Sequence, residues 1–155
     1  MKDLKWYLVS TVMVIISCIG CRKDEPTQPA QELFFGILIT DANCAIVGGD
    51  TTDFLPRPTG GGGGTLPTNY SLIKACPNPV IGDTTTIYFQ IPVADSVVIR
   101  AFATTNAPPL ATIVSERLPA GRFQVRWGFN GVNGVYRVQM STGSGFTSYG
   151  DVEFR

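Results

Sequence analysis

Apolar and polar positions follow two regimes along this chain. Trp6 to Ile16 is an apolar run interrupted only by Ser10 and Thr11, whereas from residue 33 onward apolar residues recur at every second position in short stretches. In Thr86 to Ile91 the side chains of Ile87, Phe89 and Ile91 share one face of a strand, and Val97, Ile99 and Ala101 do so in the next run. Leu118-Pro119-Ala120-Gly121 predicts a turn in which Gly121 permits a left-handed backbone. A strand follows, in which Phe123, Val125 and Trp127 alternate with Arg122, Gln124 and Arg126. Asn133-Gly134 predicts a tight turn feeding Val135 to Met140, and Gly143-Ser144-Gly145 a turn into a last strand near Phe146 to Phe154. No window of eleven or more residues has helical spacing. The expectation is an all-β protein, a two-sheet antiparallel sandwich.

The first regime reads as an export signal. Lys2 and Lys5 precede the apolar run, which closes on Ser17-Cys18-Ile19-Gly20-Cys21 before the charged Arg22-Lys23-Asp24-Glu25. The run is shorter than the ~20 residues that cross a bilayer. Its end resembles a lipoprotein box, in which small or aliphatic residues precede a cysteine that takes a lipid on its thiol. Cys21 is preferred, because glycine precedes it and the charged tract begins directly after it; Cys18 is the alternative. The expected organisation is a signal peptide over 1–20, a lipidated cysteine and polar tether over 21–32, a short β-rich segment over 33–58, a glycine-rich linker over 59–69 and the sandwich over 70–155. The expected partner is a membrane, held through the lipid anchor, at the outer membrane or cell surface, with the periplasmic side as the alternative. Several acyl chains hold such an anchor durably, each buried methylene contributing about 0.8 kcal/mol.

Composition narrows the chemistry. Twelve basic residues balance twelve acidic ones without a basic stretch after residue 30, so no nucleic-acid footprint is expected. The chain has no histidine, which removes the commonest general base, the usual zinc ligand and the Ser-His and Cys-His pairs. Gly60 to Gly64 is followed by Thr65-Leu66-Pro67 rather than the Gly-Lys-Ser/Thr of a phosphate loop, and reads as a flexible linker. Neither an enzyme, a cofactor, a metal nor a small-molecule substrate is expected.

Other candidates have bland readings. Asp41, Asn43, Asp50 and Asp53 could offer oxygens to calcium, but a turn between strands at Leu33 to Ile39 and Cys44 to Val47 explains them better. Cys44 and Cys76 either form a disulfide or are two buried thiols. Asn69-Tyr70-Ser71 matches an N-glycosylation acceptor. Asp50-Thr51-Thr52, Asp83-Thr84-Thr85 and Asp95-Ser96-Val97 resemble an O-glycosylation pattern of some bacteria with type IX secretion, which argues only for an exposed location. Phe34, Phe35, Tyr88, Phe102 and Phe129 could line a carbohydrate surface, but their place in alternating strands favours packing.

Pro77-Asn78-Pro79, Thr84-Thr85-Thr86-Ile87, Leu118-Pro119-Ala120-Gly121, Val125-Arg126-Trp127 and Gly134-Val135-Tyr136 resemble, in order and spacing, a family of bacterial immunoglobulin-like domains. The family includes the domain of the flagellar hook-capping protein and the C-terminal sorting domain of type IX secretion cargo. The resemblance spans about residues 70–155 and implies an Ig-like sandwich. Physically, the prolines beside Asn78 stiffen the approach to the first strand and deny it a ladder partner, while Trp127 offers the largest surface to an inter-sheet core. The chain departs from the family at Ala103, Asn106 and the Ala107-Pro108-Pro109 stretch, and at Gly128, where an acidic residue is commoner. The leading expectation is a non-enzymatic, lipid-anchored structural or interaction module with a possible protein partner. The alternatives are secretion cargo, whose sandwich the secretion machinery reads, and a small sugar- or calcium-binding surface protein.

Overall fold

Nine strands account for the regular structure in the computed structural model, which describes residue 34, residues 36–58 and residues 66–155. β1 (Leu38–Thr40) and β2 (Ile46–Gly49) form a hairpin. β3 (Ser71–Cys76), β4 (Thr84–Ile91) and β7 (Gly121–Gly128) form a sheet in the order β3-β4-β7. β5 (Asp95–Phe102), β6 (Ala111–Leu118), β8 (Gly134–Thr142) and β9 (Thr147–Phe154) form a second, in the order β6-β5-β8-β9. All of these strand pairs are antiparallel, and no helix occurs among the described residues. The chain switches sheets at 92–94, 119–120 and 129–133, which produces the crossed connectivity of an immunoglobulin-like sandwich.

Period-two alternation places the core where the sequence puts it. Ile87, Phe89 and Ile91 face Val125, Phe123 and Gly121 across β4 and β7, and the Phe89 and Phe123 rings stack with centroids 5.3 Å apart. Val97, Ile99 and Ala101 are buried opposite Thr142, Met140 and Val138. Trp127 is buried and meets Phe154 edge-on at 5.1 Å, within an aromatic group that includes Phe129 and Tyr136. The Tyr136 hydroxyl donates to the Val132 carbonyl four residues upstream, the tyrosine corner typical of this architecture.

Several expectations need correction. Pro77-Asn78-Pro79 lies at the exit of β3, and Asn78 has a ladder partner: its carbonyl accepts from Thr40 N at 2.8 Å, because β1 lies alongside. Gly121 is not left-handed. It opens β7 in an extended conformation opposite Ile91, since the Leu118-to-Gly121 stretch carries the chain from one sheet to the other rather than folding a hairpin. Asn133-Gly134 is likewise no two-residue hairpin turn; it ends the five-residue crossing 129–133, and Gly134 already belongs to β8. β1 and β2 begin later than the sequence pattern places them. Strands β3 and β6 were not anticipated, the latter because Ser115, Glu116 and Arg117 hide its pattern.

The short segment belongs to the sandwich. Leu38 and Phe54 are buried in the same core as the strands of both sheets, and hairpin and sandwich lie in one compact unit. A disulfide joins Cys44 to Cys76, with Cα atoms 5.3 Å apart. Cys18, Cys21, the tether, Phe35 and Gly60 to Gly64 lie outside the described residues.

Candidate functional site

The densest polar chemistry lines the seam between β3 and β9, the strands at one side of each sheet. An open sheet edge leaves a row of N–H and C=O groups unpaired, and here the N-terminal segment and Asn78 pair them. Asn78 is buried; its amide nitrogen donates to the carbonyls of Leu38 and Asp151, both at 2.9 Å, and its Oδ1 accepts from Glu153 N at 3.0 Å. Val80 continues the pairing, donating to Glu153 O at 2.7 Å and accepting from Arg155 N at 3.0 Å. Thr40 closes the other side by donating its hydroxyl to Ala75 O at 2.8 Å.

Asp53 supplies the second clasp. Its carboxylate accepts from Leu38 N at 3.0 Å and from Asp151 N at 2.8 Å, which ties β1 to the free edge of β9. Burial pushes its pKa up to about 7, and the neighbouring Asp151 charge adds to the rise. Asp151 is itself held by Arg137 in a two-pronged ion pair, both contacts 2.8 Å. The Arg137 guanidinium lies between the Phe34 and Tyr149 rings, 4.2 and 4.0 Å from their centroids. Burial of Phe34 over a cation thus fixes where the chain joins the sandwich.

Phe54 completes the seam. It is fully buried with φ of 56°, a left-handed conformation unusual for an aromatic residue, and its ring covers Gly150 in β9. Ser148 donates its hydroxyl to Leu55 O, and Ser71 donates to Pro56 O at 2.6 Å, so residues 53–56 are fastened on both sides. At the far end of the molecule Asp95 caps the β8–β9 turn, accepting from Ser144 N, Tyr70 Oη and Ser96 N. These bonds, led by those from Ser144, hold its pKa down to about 2.

The calcium candidates do not converge. Asp41 accepts from Asn43 N and Ala45 N within the hairpin turn, Asp50 accepts from Thr52, and Asp53 faces the seam. Among the described residues no cluster of three metal-ligating side chains occurs. The candidate aromatics are likewise dispersed: Phe34 covers Arg137, Phe129 joins the Trp127 group, and Tyr88 lies beneath Lys74 on the other sheet. In the glycosylation acceptor, Ser71 is buried and bonded to Pro56, and Asn69 accepts from Gln90. Of the motif residues quoted above, Asn78 pairs across the seam, Trp127 is buried in the core and Tyr136 holds the Val132 carbonyl.

Sequence reasoning missed the partnership of Phe54 with Gly150 and the clasp role of Asn78. Gly150 carried the only signal, a glycine inside an otherwise apolar-alternating strand, which marks close approach by another element. No protein family, curated protein or solved structure matches the chain.

Proposed function

We propose that the chain is a lipid-anchored, non-enzymatic module outside the cytoplasm, in which the sandwich and its N-terminal segment act as one interaction body. The observation that carries this reading is the union of segment and sandwich: Phe54 occupies the core and the Cys44–Cys76 disulfide spans the glycine-rich stretch. A disulfide suits an oxidising compartment, in agreement with the charged start, apolar run and Gly20-Cys21 ending of the N-terminal tract. The polar groups of the seam are spent on backbone pairing and on the Arg137–Asp151 ion pair.

The sorting-cargo reading draws on the Pro77-Asn78-Pro79 to Tyr136 motif series. A sorting signal is expected to be separable from its passenger, and here the sandwich is covalently and sterically joined to the residues that precede it, so the anchored body is the better account. Intact mass of the protein from its own membranes, with mapping of its N-terminal peptide, decides between them. Acyl chains on Cys21 or Cys18 and an uncleaved C-terminus are expected. An unlipidated start with the sandwich removed would overturn the proposal in favour of secretion cargo.

A further inference from the structure

Antiparallel order brings the loops 77–83, 103–110 and 129–133 to one pole of the sandwich. Each presents one large apolar side chain to solvent: Ile81 is 90% exposed, Val132 80% and Leu110 50%. The first two are the most exposed large hydrophobic residues among those described. Their loops are braced from beneath. Val80 pairs with β9, Phe129 N donates to Asp83 O at 2.7 Å, Tyr136 holds Val132 O, and Leu110 N donates to Ala101 O at 2.7 Å. Backbone fixed in this way keeps the side chains pointing outward, so their exposure is built in.

Charge tells the same story. The three loops together contain one ionisable side chain, Asp83, and the adjoining end of β9 adds only Arg155 and Glu153, paired with each other, whereas the strands display Arg100, Glu116, Arg117, Arg122 and Arg126. A surface that gives up water loses least where charges are few. Three apolar tips on separate loops also form no groove and no sheet edge, the two shapes that usually receive a peptide. They suit a soft apolar medium.

We propose that this pole rests in the interface of the membrane that carries the lipid anchor, with Ile81, Val132 and Leu110 dipping among uncharged lipids. The proposal depends on the anchored reading above. Residues 22–33 separate Cys21 from Phe34, and a chain of that length reaches at most about 45 Å. Phe34 packs on Arg137, three residues into β8 from the end of that strand at this pole, so the tether joins the body close enough for the pole to meet the bilayer.

The test places a photoreactive p-benzoyl-phenylalanine at Ile81, at Val132, at Val93 on the opposite pole, or at Ser115 on a sheet. Each variant is the full chain, lipidated and reconstituted in vesicles of phosphatidylcholine and phosphatidylethanolamine. After irradiation, lipid adducts are expected at 81 and 132, undiminished in high salt and lost from 132 when Ile81→Asp and Leu110→Asp are added. N-terminal peptide mass on the same samples reports the anchor separately. An intact anchor without adducts at 81 and 132, or with adducts chiefly at 93 or 115, overturns the docked pole and leaves the anchor standing. A missing anchor removes both. In native membranes, crosslinks from 81 and 132 to protein in place of lipid would overturn the proposal in favour of a protein partner.

Discussion

The ring of Phe54 stands where a side chain on Gly150 would begin: a Cβ built there would lie 2.4 Å from the ring carbons. The segment before the sandwich and the last strand are thus fitted as a plug and its seat. Phe54→Ala is expected to cost about 3–5 kcal/mol by emptying that seat. Gly150→Ala is expected to destabilise by expelling the ring, and to become neutral or stabilising in a Phe54→Ala background, where the methyl fills vacated space. Urea unfolding of the four chains gives the coupling directly. Additive effects would refute the plug.

Asn78 is expected to tolerate no replacement. Asn78→Ala strands the carbonyls of Leu38 and Asp151 and the N–H of Glu153, at a cost of at least about 3 kcal/mol. Asn78→Asp places a carboxylate against two carbonyl oxygens and should be worse at neutral pH than in acid. Amide hydrogen exchange should locate the damage, with protection lost first at Glu153 and Thr40. Uniform loss across both sheets would instead assign Asn78 to the global core.

Reduction of the disulfide tests how much the union of segment and sandwich depends on it. Cys44 and Cys76 are 32 residues apart, and opening a loop of that size is expected to cost about 3–4 kcal/mol through the unfolded chain. The reduced protein should nonetheless keep Phe54 buried, because Asp53, Asn78 and Ser148 still hold the segment. A thermal scan of Cys44→Ser/Cys76→Ser, paired with the environment of Phe54 in NMR spectra, checks both parts. Loss of the Phe54 contact would make the disulfide the primary fastening.

Two carboxyl groups predict opposite pH effects. Asp53 has its pKa raised from 3.8 to about 7, so the folded state holds a proton that the unfolded chain releases between those values. Stability from this group is therefore full below about pH 4, declines as pH rises toward 7 and is flat above, a change on the order of 4 kcal/mol. Asp95, lowered to about 2, contributes above about pH 4 and loses that contribution as pH falls through 2. Carboxyl carbon NMR titration should show midpoints near those two values. An Asp53 midpoint near 4 would sink the first expectation.

How much of this was legible depends on range. The faces of β4, β5 and β7 follow from alternation alone, because each strand buries one side and the period is local. Gly121 and Gly134 mark turns, but turn residues report a change of direction without saying which sheet comes next. Asn78 looked like a stiff run-in between two prolines; its true partners, Leu38, Asp151 and Glu153, are 40 or more residues away in sequence. Cys44 and Cys76 were visible as a pair but not as a bond, since sequence carries no distance. Phe54 was illegible for the same reason, and its fit needs both the left-handed backbone at 54 and the bare Cα of Gly150.

The same bond shapes the response of the domain to tension. A pull on the tether enters at Phe34 and travels through β1 to Cys44, where it passes directly to Cys76. The 31 residues between them cannot be drawn out while the bond is intact, which withholds about 110 Å of chain from extension. Load then falls on β3 and β4 and bypasses Phe54 and the glycine-rich stretch. In an oxidised chain the plug is shielded from traction, and only after reduction does a steady pull peel it from its seat.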